Sequence, residues 1–93
     1  MENKHIVTMQ NICKKAQKEY KYACNFIVKL RQVCNIVDCI ESRLNKNLIS
    51  LNSSVYECLE IAEELLCDLR KEAENTEELI WLEEVEVKIN NIQ

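Results

Sequence analysis

The chain has 93 residues, no glycine, no proline, six cysteines and a formal net charge of −4. A chain of this length forms one small domain, and the absence of both residue types that break helices favours long helices joined by polar connections. No apolar run approaches the 18 or so residues that read as a membrane-spanning helix, and the start MENKHIVTMQ lacks a signal peptide's apolar segment and cleavage site. We therefore expect a cytoplasmic protein.

Charge is distributed unevenly along the chain. Residues 1–47 contain nine Lys/Arg and four Asp/Glu, whereas residues 48–93 contain three and twelve, so the halves carry about +5 and −9. This asymmetry predicts either that the halves attract each other or that the first half meets an anionic surface. Two oppositely charged faces in water are the alternative.

The first half carries apolar residues at alternating steps of three and four, the pattern of a helix that packs on other helices. This seam consists of Ile6, Met9, Cys13, Ala16, Tyr20, Ala23, Ile27, Leu30, Cys34, Val37 and Leu44. One helix over the whole segment would be roughly 65 Å long, about twice the span of a small domain. We therefore place a break near residues 20–25 and predict helices over about 3–21 and 24–45. After Cys24 the apolar residues spread around most of the helix, which predicts that other helices surround it.

The second half continues the pattern in two further segments. Its seam residues are Val55, Cys58, Ala62, Leu65 and Leu69, then Leu79, Leu82, Val85, Ile89 and Ile92. Ser54 with Glu57, and Asn75 with Glu78, have the spacing of a helix-starting capping box and predict helices over about 54–74 and 76–92. The predicted fold is a single all-α domain, a four-helix bundle. The alternative is one long N-terminal helix packed with two shorter helices, in the manner of a coiled coil.

The cysteines do not have the spacing of a metal site. Cys13, Cys34 and Cys58 lie on the seam, where reduced thiols act as small apolar side chains. A disulfide framework in a secreted chain is the alternative. Cys39 and Cys67 lie away from the seam, so they face another helix or water and are candidate exposed thiols.

The residue types needed for catalysis are scarce. The chain has one histidine, His5, and no Cys-x-x-Cys pair. Neighbouring acids such as Glu63 and Glu64 diverge on a helix, which suits a solvated face better than shared-proton chemistry. We predict no metal, no cofactor and no enzymatic activity.

Four lysines fall on one side of the helical wheel, opposite the seam. Lys14, Lys18, Lys21 and Lys29 lie within about 80° of one another, with no acid in that sector. Nucleic acid is an unlikely ligand because the domain is acidic overall and lacks a groove-reading motif. Anionic lipid headgroups fit better, and a merely solvated face is the alternative.

Two sets of residues resemble known cell-death proteins. The run MENKHIVT, followed by Lys15, Glu19 and the pair Lys21-Tyr22, resembles the N-terminus of the mixed-lineage kinase-domain-like pseudokinase family, which executes necroptosis. The stretches KLRQVCNIVDCIESRL and SSVYECLEIAEELLCDL resemble the wider class of HeLo-type and adaptor bundles.

This resemblance implies a four-helix bundle that oligomerises and binds phosphoinositide-rich plasma membrane through basic residues on its first helices. Transferred by position, those residues are Lys14, Lys15, Lys18, Lys21, Lys29 and Arg31. The leading hypothesis is a cell-death or signalling bundle that self-associates and docks on anionic lipid as a peripheral protein. The alternative is a helical adaptor or decoy that binds other proteins and no lipid.

Overall fold

The chain folds into four α-helices in a computed structural model that describes the backbone of residues 2–93 and the side chains from residue 4. The helices are α1 (Glu2–Tyr22), α2 (Phe26–Asn45), α3 (Ser53–Glu72) and α4 (Thr76–Ile92), and the described backbone contains no strand. The predicted all-α four-helix bundle is confirmed, and the alternative of one long N-terminal helix is wrong. The first three side chains of the MENKHIVT run lie outside the described residues.

The break between α1 and α2 forms without glycine because an asparagine caps the second helix. Asn25 has an extended backbone, and its Oδ1 accepts hydrogen bonds from the backbone N–H groups of Ile27 at 2.7 Å and Val28 at 3.4 Å. These bonds satisfy donors that would otherwise lack a partner in the first turn. A new helix therefore begins at Phe26, and α1 does not continue through this point.

The later helix starts confirm one predicted cap and correct the other. Asn75 caps α4 by accepting from Glu78 N–H at 2.9 Å, while Glu78 reaches back to the N–H of Glu74 at 2.8 Å. The cap of α3 is Asn52, which accepts from Val55 N–H at 3.1 Å, so the predicted capping role of Ser54 is wrong. Ser54 lies inside the first turn because the helix begins earlier, at Ser53.

The helices α2 and α3 form the centre of the bundle. They pack on each other, and both contact α1 and α4, whereas α1 and α4 make no contact within the described residues. The described chain measures 42 × 26 × 18 Å, a thickness that fits two layers of helices. Although α2 contacts all three other helices, it is not surrounded as predicted, because its side with Val28 and Arg31 is exposed. The helices α1 and α4 occupy opposite edges.

The core contains most of the predicted seam and some neighbours of it. Every helix contributes to one cluster of buried apolar side chains, which consists of Met9, Cys13, Ala16, Tyr20, Val33, Ile36, Val37, Ile40, Ile49, Val55, Cys58, Leu59, Ala62, Leu65, Leu66, Leu69, Leu82, Val85 and Ile89. Two predicted seam residues are instead exposed, Ile27 by 41% and Leu79 by 49%. Each lies in the first turn of its helix. Ile27 was placed in the seam by counting along one continuous helix, and the break before Phe26 makes that count invalid.

The reassigned cap of α3 can be tested with two alanine variants. We expect Asn52→Ala to lower the free energy of unfolding by about 1 kcal/mol, because Val55 N–H loses its acceptor. Ser54→Ala is the matched control, with an expected change within about 0.5 kcal/mol. Urea denaturation followed by circular dichroism measures both, and an equal loss in the two variants would contradict the cap assignment.

Candidate functional site

Four of the six predicted basic residues share the outer side of α1. Lys14, Lys15, Lys18 and Lys21 are exposed, and they span about 120° of the helix on the side away from its buried residues. We call these four residues the α1 lysine face. They lie together because steps of three and four residues return to the same side of a helix.

One ion pair is described on the α1 lysine face, and Asp68 of α3 lines a groove with Lys18 and Lys21. Lys15 and Glu19 form an ion pair at 3.9 Å, and the Lys15 side chain remains 77% exposed. Within the described residues, Lys14 and Lys18 form no ion pair, and the Lys21 ammonium lies 5.9 Å from the ring centre of Tyr22. Positive charge on this face is therefore available to an anionic partner.

Lys29 belongs to α2, lines a groove together with Lys18 and Lys21, and is already paired. Its Nζ donates to Glu72 Oε1 at 2.7 Å and lies 5.4 Å from the ring centre of Tyr20, and its side chain is only 18% exposed. The helical wheel that placed Lys29 beside the other lysines assumed one continuous helix, and the break before Phe26 makes that assumption invalid. Lys29 instead joins α2 to α3 over an aromatic ring of α1.

Arg31 is exposed on α2, two residues beyond Lys29. Helical geometry places it on the side of α2 opposite the buried residues Val33, Ile36, Val37 and Ile40. It belongs to a different helix from the α1 lysine face. The structure thus places four of the six predicted residues on α1 and the other two on α2, with Lys29 beside Lys18 and Lys21 in one groove.

Tyr20 anchors the C-terminal end of α1 against α3. Its ring is buried, and its hydroxyl donates to the backbone oxygen of Leu65 at 3.5 Å. Burial, followed by the negative charges of Asp68 and Glu72, raises the pKa of Tyr20 to about 12. The neutral phenol is therefore the form that the fold favours.

The opposite edge of the bundle is acidic and partly apolar. On α4, Glu77, Glu83 and Glu84 are exposed. The same helix carries apolar side chains that are about half exposed, namely Leu79, Ile80 and Val87. Sequence analysis missed this surface because it assigned Leu79 to the core and did not assign Ile80 or Val87.

In the described residues, few ion pairs between helices join the basic first half of the chain to the acidic second half. The described inter-helix pairs are Lys29 with Glu72, Lys88 with Asp38 at 3.3 Å, and Arg70 with Glu86. Among these, Lys29 is the one basic residue of the first half that pairs with an acid of the second half. Attraction between the halves therefore leaves most of their charge facing solvent.

The six cysteines are free thiols in different surroundings. The predicted exposed thiol Cys67 is exposed, and so is Cys24, which sequence analysis did not assign. Cys39 is half-buried, and its sulfur accepts from Arg43 Nη1 at 2.9 Å. Of the predicted core thiols, Cys13 and Cys58 are buried and Cys34 is half-buried.

The described residues offer neither a metal site nor a membrane span. They contain no group of three or more His, Cys, Asp or Glu side chains placed to hold a metal ion. Across the described portion of the chain, no helix combines the length and apolarity needed to cross a bilayer.

The altered pKa of Tyr20 predicts a pH dependence with a definite sign. Because the folded pKa of about 12 exceeds the usual value of 10.0, the contribution of Tyr20 to stability is complete below pH 10 and is lost as pH rises toward 12. Ultraviolet titration of the parent and of Tyr20→Phe should therefore differ by one phenolate transition near pH 12. If the transition that Tyr20→Phe lacks relative to the parent lies near pH 10, the burial of this hydroxyl is contradicted.

Comparison with protein-family models, curated proteins and solved structures finds no match.

Proposed function

We propose that this chain is a cell-death or signalling bundle that docks on anionic, phosphoinositide-containing membrane through Lys14, Lys15, Lys18 and Lys21 and self-associates there. The observation that supports docking is the position of the α1 lysine face, exposed at one edge of the bundle with the acidic α4 at the other. Self-association rests on the resemblance to necroptotic and HeLo-type bundles.

The arrangement of the helices explains how a protein of net charge −4 could approach an anionic surface. Packed helices lie about 8–10 Å apart, so α1 and α4, on either side of α2 and α3, are separated by more than the Debye length of about 8 Å at physiological salt. A membrane that meets α1 is therefore screened from the acids of α4. The local charge of the docking face decides the interaction more than the net charge does.

The expected strength is that of reversible peripheral binding. Each lysine near an anionic surface contributes about 1 kcal/mol, so four give about 4 kcal/mol, or roughly a thousandfold enrichment at the membrane. The interaction should weaken as salt concentration rises, because screening acts on exposed charges.

A pair of matched double variants tests the docking face. We expect Lys14→Gln/Lys18→Gln to reduce partition onto phosphoinositide-containing vesicles about 30-fold, from the loss of about 2 kcal/mol. Lys46→Gln/Lys71→Gln removes the same charge outside α1, where both lysines are also exposed, and should bind as the parent does. Vesicle flotation at low and physiological salt measures all three proteins.

Two results would overturn the docking proposal. One is equal flotation of the two double variants, which would show that net charge and not the α1 lysine face controls binding. The other is failure of the folded, reduced parent to float with anionic vesicles at low salt.

The acidic edge supports a second candidate function, a helical adaptor that binds protein and no lipid. Leu79, Ile80 and Val87 expose apolar surface next to the carboxylates of Glu77, Glu83 and Glu84. The partner that matches this surface is an amphipathic helix with lysines or arginines beside its apolar residues, which would bury the aliphatic groups and neutralise the acids.

Two serine variants test the α4 surface with a synthetic lysine–leucine amphipathic peptide as the probe. We expect Ile80→Ser/Val87→Ser to weaken binding of this peptide about tenfold with little change in stability, because both side chains are about half exposed. Val7→Ser, which alters an apolar residue of similar exposure on α1, is the control. Equal peptide binding by the parent and the α4 variant, measured by fluorescence anisotropy, would exclude this surface.

A further inference from the structure

The outward side of α1 carries a continuous stripe of exposed residues. Steps of three and four residues place its members within about 80° of one another, on the side away from the buried residues of the helix. We call this set the α1 stripe, and it consists of Val7, Asn11, Lys14, Lys18 and Lys21, all of which are exposed. The stripe is about 21 Å long. It combines positive charge with an apolar side chain, Val7, that is 53% exposed.

The outward side of α4 carries a second stripe of the same length. We call it the α4 stripe, and it consists of Glu77, Ile80, Glu84, Val87 and Asn91, all of which are exposed. They too lie within about 80° of one another on the helix. Ile80 is 48% and Val87 51% exposed, so half of each aliphatic side chain is open to solvent. The charged members of this stripe are both carboxylates.

Neighbouring charges leave both stripes largely unneutralised. The ion pairs described in the structure include no member of either stripe. Lys88, which lies beside the α4 stripe, pairs with Asp38 of α2 at 3.3 Å. Asp68 of α3 lines a groove with Lys18 and Lys21 and forms no described ion pair with them. The two edges of the bundle therefore present opposite charges to solvent.

The two stripes match residue by residue when the helices run antiparallel. The α1 stripe advances by four, three, four and three residues, and the α4 stripe read in reverse advances by the same steps. This register places Lys14 opposite Glu84 and Lys21 opposite Glu77. The aliphatic part of Lys18 then covers Ile80. Such a contact neutralises both carboxylates and buries apolar surface that a single copy leaves exposed.

One copy of the chain does not bring its own stripes together. Within the described residues α1 and α4 make no contact, because α2 and α3 lie between them. We propose that copies of this chain associate head to tail, with the α1 stripe of one copy packed on the α4 stripe of the next. This inference rests on the self-association in the proposed function, to which it assigns the two surfaces, and it needs no membrane.

Contact between two different faces has a consequence for the size of the assembly. Each added copy uses one stripe and leaves its other stripe free, so association continues into chains and does not stop at a dimer. A copy docked on a membrane through its lysines presents its α4 stripe on the side away from the lipid. The α1 stripe of the next copy binds there, so docking and self-association are compatible.

Charge reversal with rescue tests the contact in reduced protein without lipid. We expect the average mass of the parent, measured by sedimentation at low salt, to rise past that of a dimer as protein concentration increases. Lys14→Glu/Lys21→Glu and Glu77→Lys/Glu84→Lys should each lose this association, because both stripes of each variant then carry the same sign. An equal mixture of the two variants should associate again, since each reversed stripe meets a stripe of opposite charge.

The matched control changes the same amount of charge outside both stripes. Lys46→Glu/Lys71→Glu alters two exposed lysines and should associate as the parent does. Circular dichroism checks that every variant is folded. Equal loss of association in the control would show that net charge decides the result and would overturn the proposal, as would a mixture of folded stripe variants that stays monomeric.

Carbodiimide cross-linking of the parent gives an answer that needs no variant. Labelled and unlabelled protein are mixed, and linked peptides that carry one label each come from two copies. We expect such links from Lys14 to Glu84 and from Lys21 to Glu77. The proposal is overturned if the parent is monomeric at every concentration at low salt, or if links between copies join other segments only. A monomeric parent that floats with anionic vesicles would refute this contact and leave membrane docking standing, and association without flotation would do the reverse.

Discussion

The packing of α2 against α3 is the contact on which the rest of the molecule depends. Both helices present apolar residues to more than one neighbour, so each buries surface against the other and against both outer helices. A pair of central helices leaves the two remaining helices on opposite sides with no contact between them. The positions of the lysines of α1 and the acids of α4 follow from this arrangement.

Electrostatics in this bundle reflects that geometry. The described inter-helix ion pairs, Lys29 with Glu72, Lys88 with Asp38 and Arg70 with Glu86, join central helices to each other or to α4. None of them includes a lysine of the α1 lysine face. Such pairs between partly exposed side chains contribute modestly to stability, so the fold rests mainly on apolar burial and the charged edges remain exposed.

The core has an unusual composition for its size. Two of its buried positions are the thiols Cys13 and Cys58, and a third thiol, Cys39, is half-buried beside the Arg43 guanidinium. Close packing excludes water from Cys13 and Cys58, so both act as small apolar side chains of the core.

The sequence by itself determined the fold class, the number of helices and the grouping of Lys14, Lys18 and Lys21, because helical period and capping are properties of neighbouring residues. It located the break before α2 from length and apolar pattern, and it identified Asn75 as a cap. Only the structure decided between Asn52 and Ser54, showed that Ile27 and Leu79 are exposed, and placed Lys29 in an ion pair. The exposure of Ile27 and Leu79 and the pairing of Lys29 depend on how one helix is turned and packed relative to another, and a periodic pattern loses that information where one helix ends and the next begins.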